Sequence, residues 1–142
     1  MSGSAKRGVS EWLIACCGVW LVGLGLYFVF LRPALLPEDI RFIGAQPGVL
    51  QTTAPRLEQW LGLVFTVLGG FMAGAGVLVA HFAWILMPQR PRGATPVLAL
   101  TGASTVALMS AINFELSSDF RWLLLGPPLV WVAAVALYIR RD

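Results

Sequence analysis

Charged residues are scarce in this sequence. Ten Lys or Arg and seven Asp or Glu make up 12% of 142 residues, against about 25% in a typical soluble domain. With 58% hydrophobic residues, the chain is too poor in polar groups to cover a surface in water, and its surroundings read as lipid. Histidine is limited to His81, so a metal or haem site would need Cys16 or Cys17 as further ligands. His81 reads instead as an ordinary residue of the membrane interface, and no metal is expected. The two cysteines are adjacent, which excludes a disulfide framework. They read as small packing residues, with lipidation or redox sensing as the alternative near a helix end. The net charge is only +3, and the basic residues form no stripe, so no nucleic-acid partner is expected. Glycine-rich phosphate loops, nucleophile elbows and zinc-helix motifs are missing. No cofactor, catalytic residue or enzymatic activity is expected.

What the chain does have is long uncharged runs. They extend from Trp12 to Leu31, Gln59 to Gln89, Gly93 to Phe114 and Trp122 to Ile139. A bilayer core of roughly 30 Å needs about 20 apolar residues as helix, and helices are the open-chain way to satisfy the backbone there. The reading is an all-α integral membrane four-helix bundle in a single domain, residues 1–142. Its spans lie at about 12–31, 59–86, 95–114 and 122–139, with the 32–58 loop on the non-cytoplasmic side. The first run follows Lys6 and Arg7 but is too long for a signal core and lacks a cleavage site, so it reads as a retained span. The second run exceeds bilayer thickness and predicts a helix that tilts or starts in the aqueous layer. Thr53 suits its N-cap, Pro55 its first turn and Pro88 its end.

Lys6, Arg7, Arg90, Arg92, Arg140 and Arg141 fall on one side of this topology. Arg32, Arg41, Arg56 and Arg121 fall on the other, with Glu38, Asp39, Glu58, Glu115 and Asp119. The basic bias places both termini in the cytoplasm of a multi-pass cell-membrane protein, taken as bacterial. Trp12, Trp60, Trp84 and Trp122 sit near span ends, as interfacial anchors do. Trp20 and Trp131 lie mid-span.

Glycine is abundant where a soluble helix would avoid it. In the second span Gly62, Thr66, Gly70 and Gly74 recur every four residues. A neighbouring stripe holds Gly69, Ala73, Gly76, Ala80 and Ala83. Small residues let helix backbones approach closely in lipid, so both stripes read as helix-packing faces, within the chain or toward a homo-oligomer or larger complex. Two faces make this span the expected centre of the bundle. Gly102, Ser104, Ala107 and Ala111 extend the pattern to the third span, where Thr101, Thr105 and Ser110 offer hydroxyls for bonds across helices. Pro127 and Pro128 predict a kink in the fourth span.

The first loop reads as a short amphipathic helix opened by Pro37 and stopped by Gly44, with Leu36, Ile40 and Ile43 on one face. A turn follows at Gln46-Pro47-Gly48. Glu38, Asp39, Arg41 and Phe42 make this loop the expected place for partner contact, if it does not simply cap the bundle. Asn113, Glu115, Asp119 and Arg121 form an expected outer polar cluster, in which Glu115 pairs with Arg121 or with Arg32, Arg41 or Arg56. No ionisable residue lies mid-span to relay protons.

In "LLPEDIRFIG" and "VLGGFMAGAG", and in its size and topology, the chain resembles small bacterial four-helix membrane proteins of the DoxX-like group. That resemblance implies the fold and no active residues. Small multidrug transporters share the span count but use a membrane-embedded glutamate, and Glu11 lies too near the rim to match it. The expected function is that of a non-enzymatic accessory or assembly subunit. Its expected partners are membrane lipid and other transmembrane helices. The alternative is a binder or carrier of a lipid-like or quinone-like molecule near Pro127 and Pro128.

Overall fold

The computed structural model describes residues 8–44, 46 and 48–141. Every element among them is helical. Four helices are long and apolar enough to cross a membrane: α1 (Val9–Phe30), α4 (Leu57–Gln89), α5 (Ala94–Glu115) and α6 (Arg121–Arg140). Two short helices, α2 (Pro37–Ile43) and α3 (Val49–Thr53), occupy the first loop. Each long helix starts and ends within about three residues of its uncharged run, because charged side chains are costly below the bilayer rim.

The start of α4 differs from expectation. Thr53 ends α3, and Arg56 takes the N-cap position before Leu57. Helix α3 was not foreseen; Gly48, with φ 90°, supplies the left-handed residue that opens it. The turn expected around Pro47 lies partly outside the described residues. Gly44, with φ 69°, stops α2 as expected.

Both α4 and α5 contain a π-helical turn, at Phe82–Leu86 and Ala103–Ala107. A π turn disturbs the regular i→i−4 ladder and leaves carbonyls short of donors. Side chains of the same helix bond such carbonyls here. Ser104 Oγ donates to Leu100 O at 2.9 Å and Thr105 Oγ1 to Thr101 O at 2.6 Å. Gln89 Nε2 donates to Ile85 O at 2.8 Å, where Pro88 interrupts the end of α4. Ser104 and Thr105 therefore turn back on their own helix, and the cross-helix bond expected of Thr105 is not the one it makes. In hydrocarbon an unmet carbonyl costs several kcal/mol, so local satisfaction takes precedence.

The helices neighbour one another in the order α4, α1, α6, α5. Helix α1 packs along most of α4 and also against α6, while α5 leans on α6. Although joined by a short turn, α4 and α5 make little direct contact. The centre of the bundle is thus α1, not the second span. The reason is visible in α4: only one of its two small-residue stripes is used inside the chain.

Candidate functional site

The α1–α4 seam is built from four glycines. Gly18 and Gly25 on α1 are seven residues apart, as are Gly69 and Gly76 on the antiparallel α4. A methyl carbon at Gly25 would lie 2.6 Å from Gly69 O, and one at Gly69 would lie 2.6 Å from Gly25 O. The Gly18 and Gly76 pair is the same, at 2.8 Å and 2.6 Å. In each case the hydrogen that a methyl would replace points at the partner's carbonyl. Such Cα–H···O contacts are worth perhaps 0.5–1 kcal/mol each. The two backbones meet with no side chain between them.

Around these pairs the seam closes with larger groups. Trp12 and Trp84 meet edge to face at 4.7 Å near one end. Phe28 and Phe65 meet at 6.0 Å near the other. Ile14, Leu21 and Ala83 on these two helices are buried in the core.

On the second stripe of α4, Gly70 and Gly74 point elsewhere. Methyl groups at Gly62, Gly70 or Gly74 would meet nothing within 4 Å. Thr66 is exposed, its hydroxyl returned to Gly62 O at 2.9 Å. Of the expected packing residues, Gly69, Ala73 and Gly76 therefore meet α1, while Gly62, Thr66, Gly70 and Gly74 do not. Sequence reasoning named both stripes on α4 and missed the matching one on α1. The shared seven-residue glycine spacing was the signal available.

Trp131 binds α6 to α5. It is buried, and its indole Nε1–H donates to Leu98 O at 3.0 Å. Its ring lies over Gly102, where a methyl would touch the ring atoms. A mid-span tryptophan is thus accommodated by a glycine opposite and a carbonyl acceptor. Just before it, α6 is interrupted at Leu125, between Arg121–Leu124 and the segment that restarts at Gly126 with Pro127 and Pro128 in its first turn. The Cys17 thiol faces Pro127 O at 3.9 Å. Cys17 is buried in packing, whereas Cys16 is exposed.

At the end of the bundle that carries the first loop, that loop folds onto the α5–α6 turn. Glu38 is buried and accepts from Ser118 Oγ at 3.0 Å. Arg41 Nη2 pairs with Asp119 at 3.0 Å in the open. Asp39 caps α2 by accepting from Leu36 N–H at 2.9 Å, and it also takes Arg32 Nη2 at 3.2 Å. The Arg32 guanidinium lies 3.6 Å from the Phe65 ring centroid. Glu38, Asp39 and Arg41 are thus engaged within the chain, though Arg41 is exposed, as is Phe42.

The expected outer polar cluster of Asn113, Glu115, Asp119 and Arg121 does not assemble among the described residues. Asn113 Nδ2 donates to Met109 O on its own helix, and Arg121 Nη1 reaches Ser118 O at 3.5 Å. Glu115 is exposed and forms no ion pair among the described residues. Asp119 is taken by Arg41, which α2 carries to the α5–α6 turn.

At the opposite end the start of α1 meets the end of α6. Glu11 is buried and accepts from Gly8 N–H at 2.8 Å, Ser10 Oγ at 2.9 Å and Arg141 Nη1 at 3.0 Å. Arg90 Nη2 donates to Tyr138 O at 2.6 Å, its guanidinium 4.6 Å from the Tyr138 ring centroid. The first turn of α1 and Arg141, just past α6, lie at the same end of the bundle. Among the described residues no group of three or more His, Cys, Asp or Glu could hold a metal ion. His81 is exposed on α4.

Two open grooves border Trp131. One, of about 230 Å³, lies in the gap between α4 and α5, lined by Leu78, Phe82 and Leu98. The other, of about 390 Å³, runs between α5 and α6 from Pro128 to Ile139.

No protein-family model matches the chain, no curated protein matches it, and no solved structure matches its fold.

Proposed function

We propose that this chain is a small, non-enzymatic subunit of the bacterial cytoplasmic membrane that assembles with other transmembrane helices through α4. One observation carries the reading. Gly70 and Gly74 face outward with nothing within 4 Å, on a helix whose most apolar window is only 17% buried within the chain, against 33% for α1. In lipid an apolar face alone drives no association, but a small-residue face that admits a second backbone does. A homo-oligomer and a larger complex both fit this surface. The basic bias further supports cytoplasmic termini.

Crosslinking with mass spectrometry in native membranes tests the reading. Crosslinks from α4 to a second chain are expected. They should vanish in a Gly70→Leu, Gly74→Leu variant whose helix content in detergent is unchanged. Only intrachain crosslinks, together with a monomeric mass in mild detergent, would refute the assembly. Reporter fusions at both ends test orientation, and an extracytoplasmic signal from either end overturns it.

A further inference from the structure

The end of the bundle where α1 starts and α6 ends also gathers basic side chains from distant parts of the chain. Arg90 docks the α4–α5 turn onto the last turn of α6 through Tyr138. Arg92 and Arg140 each lie two residues from that contact, are exposed, and make no ion pair among the described residues. The acid described at this end, Glu11, is already taken by Arg141. Among the described residues, Arg90, Arg92, Arg140 and Arg141 thus outnumber the acid at this rim of the bundle.

A second, independent feature begins at the same place. The α5–α6 groove, about 390 Å³, ends at Ile139, the residue before Arg140. Its length from Pro128 is about 16 Å at 1.5 Å per residue, which matches one leaflet of a hydrocarbon core roughly 30 Å thick. Small residues, Gly102 and Ala103 among them, form its floor on α5.

We propose that an anionic phospholipid sits here, its headgroup phosphate held by Arg92 and Arg140 and one acyl chain laid in the α5–α6 groove beside Trp131. Basic pockets between helices on the cytoplasmic side are a known lodging for such headgroups. Free phosphate would use the arginines but leave the groove without a purpose, and a zwitterionic lipid brings its own cation to an already basic site. This inference narrows the lipid-like ligand expected from the sequence, and it is independent of assembly through α4.

Trp131 lines the groove and reports on it. The full chain is reconstituted in phosphatidylcholine vesicles containing a minor fraction of phosphatidylglycerol, with bromine on the acyl chains of one lipid or the other. Brominated phosphatidylglycerol is expected to quench the Trp131 signal, defined by difference from Trp131→Phe, well beyond its share of the lipid. A preference of up to about five-fold per arginine is expected. The preference should disappear in Arg92→Gln, Arg140→Gln, and Ala103→Leu should reduce quenching by either lipid. Equal quenching by both lipids, or a preference that survives loss of both arginines, overturns the proposal. Native mass spectrometry gives a readout that needs no tryptophan change. The wild type should retain phosphatidylglycerol from mixed vesicles and the double variant should not; retention by both again overturns it.

Discussion

Two alanine substitutions on α4 and its partner should behave oppositely although each adds one methyl group to a glycine. At Gly25 the new carbon would lie 2.5 Å from Ala73 N and 2.6 Å from Gly69 O. Ordinary contact begins near 3.4 Å. The obstacle is backbone, so no rotamer change relieves it, and α1 and α4 must part by about 0.9 Å at that level. A gap of that size forfeits a quarter to a half of each dispersion contact around it. Overpacking a rigid interface costs about 1–3 kcal/mol. Gly70→Ala meets nothing within 4 Å and gains helix propensity of up to about 1 kcal/mol. The assay is equilibrium unfolding in mixed micelles as the fraction of sodium dodecyl sulfate rises, followed by tryptophan fluorescence and helix content. Gly25→Ala should unfold earlier than wild type, and Gly70→Ala at the same point or later. Adding Gly69→Ala to Gly25→Ala should cost less than the two singles together, because the first methyl has already opened the seam. Coincident midpoints for Gly25→Ala and Gly70→Ala would refute the backbone-contact account of the seam.

Four further outcomes can be checked by the same unfolding measurement. Arg141→Gln should cost under about 1 kcal/mol, since its side chain is 44% exposed and water competes for the pair. Glu11→Ala should cost more, about 1.5–3 kcal/mol, because the buried carboxylate also accepts from Gly8 N–H and Ser10 Oγ. Ser118→Ala should cost about 1–3 kcal/mol by removing the hydroxyl that Glu38 accepts from, and hydrogen exchange in α2 should quicken with it. Gly102→Ala should displace the Trp131 ring and lengthen its bond to Leu98 O, seen as a shift in tryptophan emission with a loss of about 1–3 kcal/mol.

The spans were legible because lipid imposes one simple demand, a long stretch without charge, and four stretches met it. Contacts between them were less legible, because in lipid a small residue signals closeness without saying to what. Both stripes of α4 carry that signal, and only the seven-residue match with Gly18 and Gly25 separates the face that meets α1 from the one that does not. The outer charges show the same limit. Composition places Arg41, Glu115, Asp119 and Arg121 on one side of the membrane, yet which acid meets which base depends on where α2 comes to rest. Trp131 was recognised as a mid-span oddity. That its indole lies over Gly102 and bonds Leu98 O follows only once α5 and α6 are side by side.

The glycine seam has a consequence for how α1 and α4 find their register. Gly62 precedes Gly69 by the same interval that separates Gly69 from Gly76, so α4 has three notches where α1 has two. Sliding α1 by one interval, about 10.5 Å, would seat Gly18 on Gly69 and Gly25 on Gly62, and the backbones would mesh again. What tells the two settings apart is the hardware at the ends: Trp12 on Trp84 and Arg32 over Phe65 engage in only one of them. The glycines make the ratchet, and the aromatic and charged residues at its ends act as the pawl.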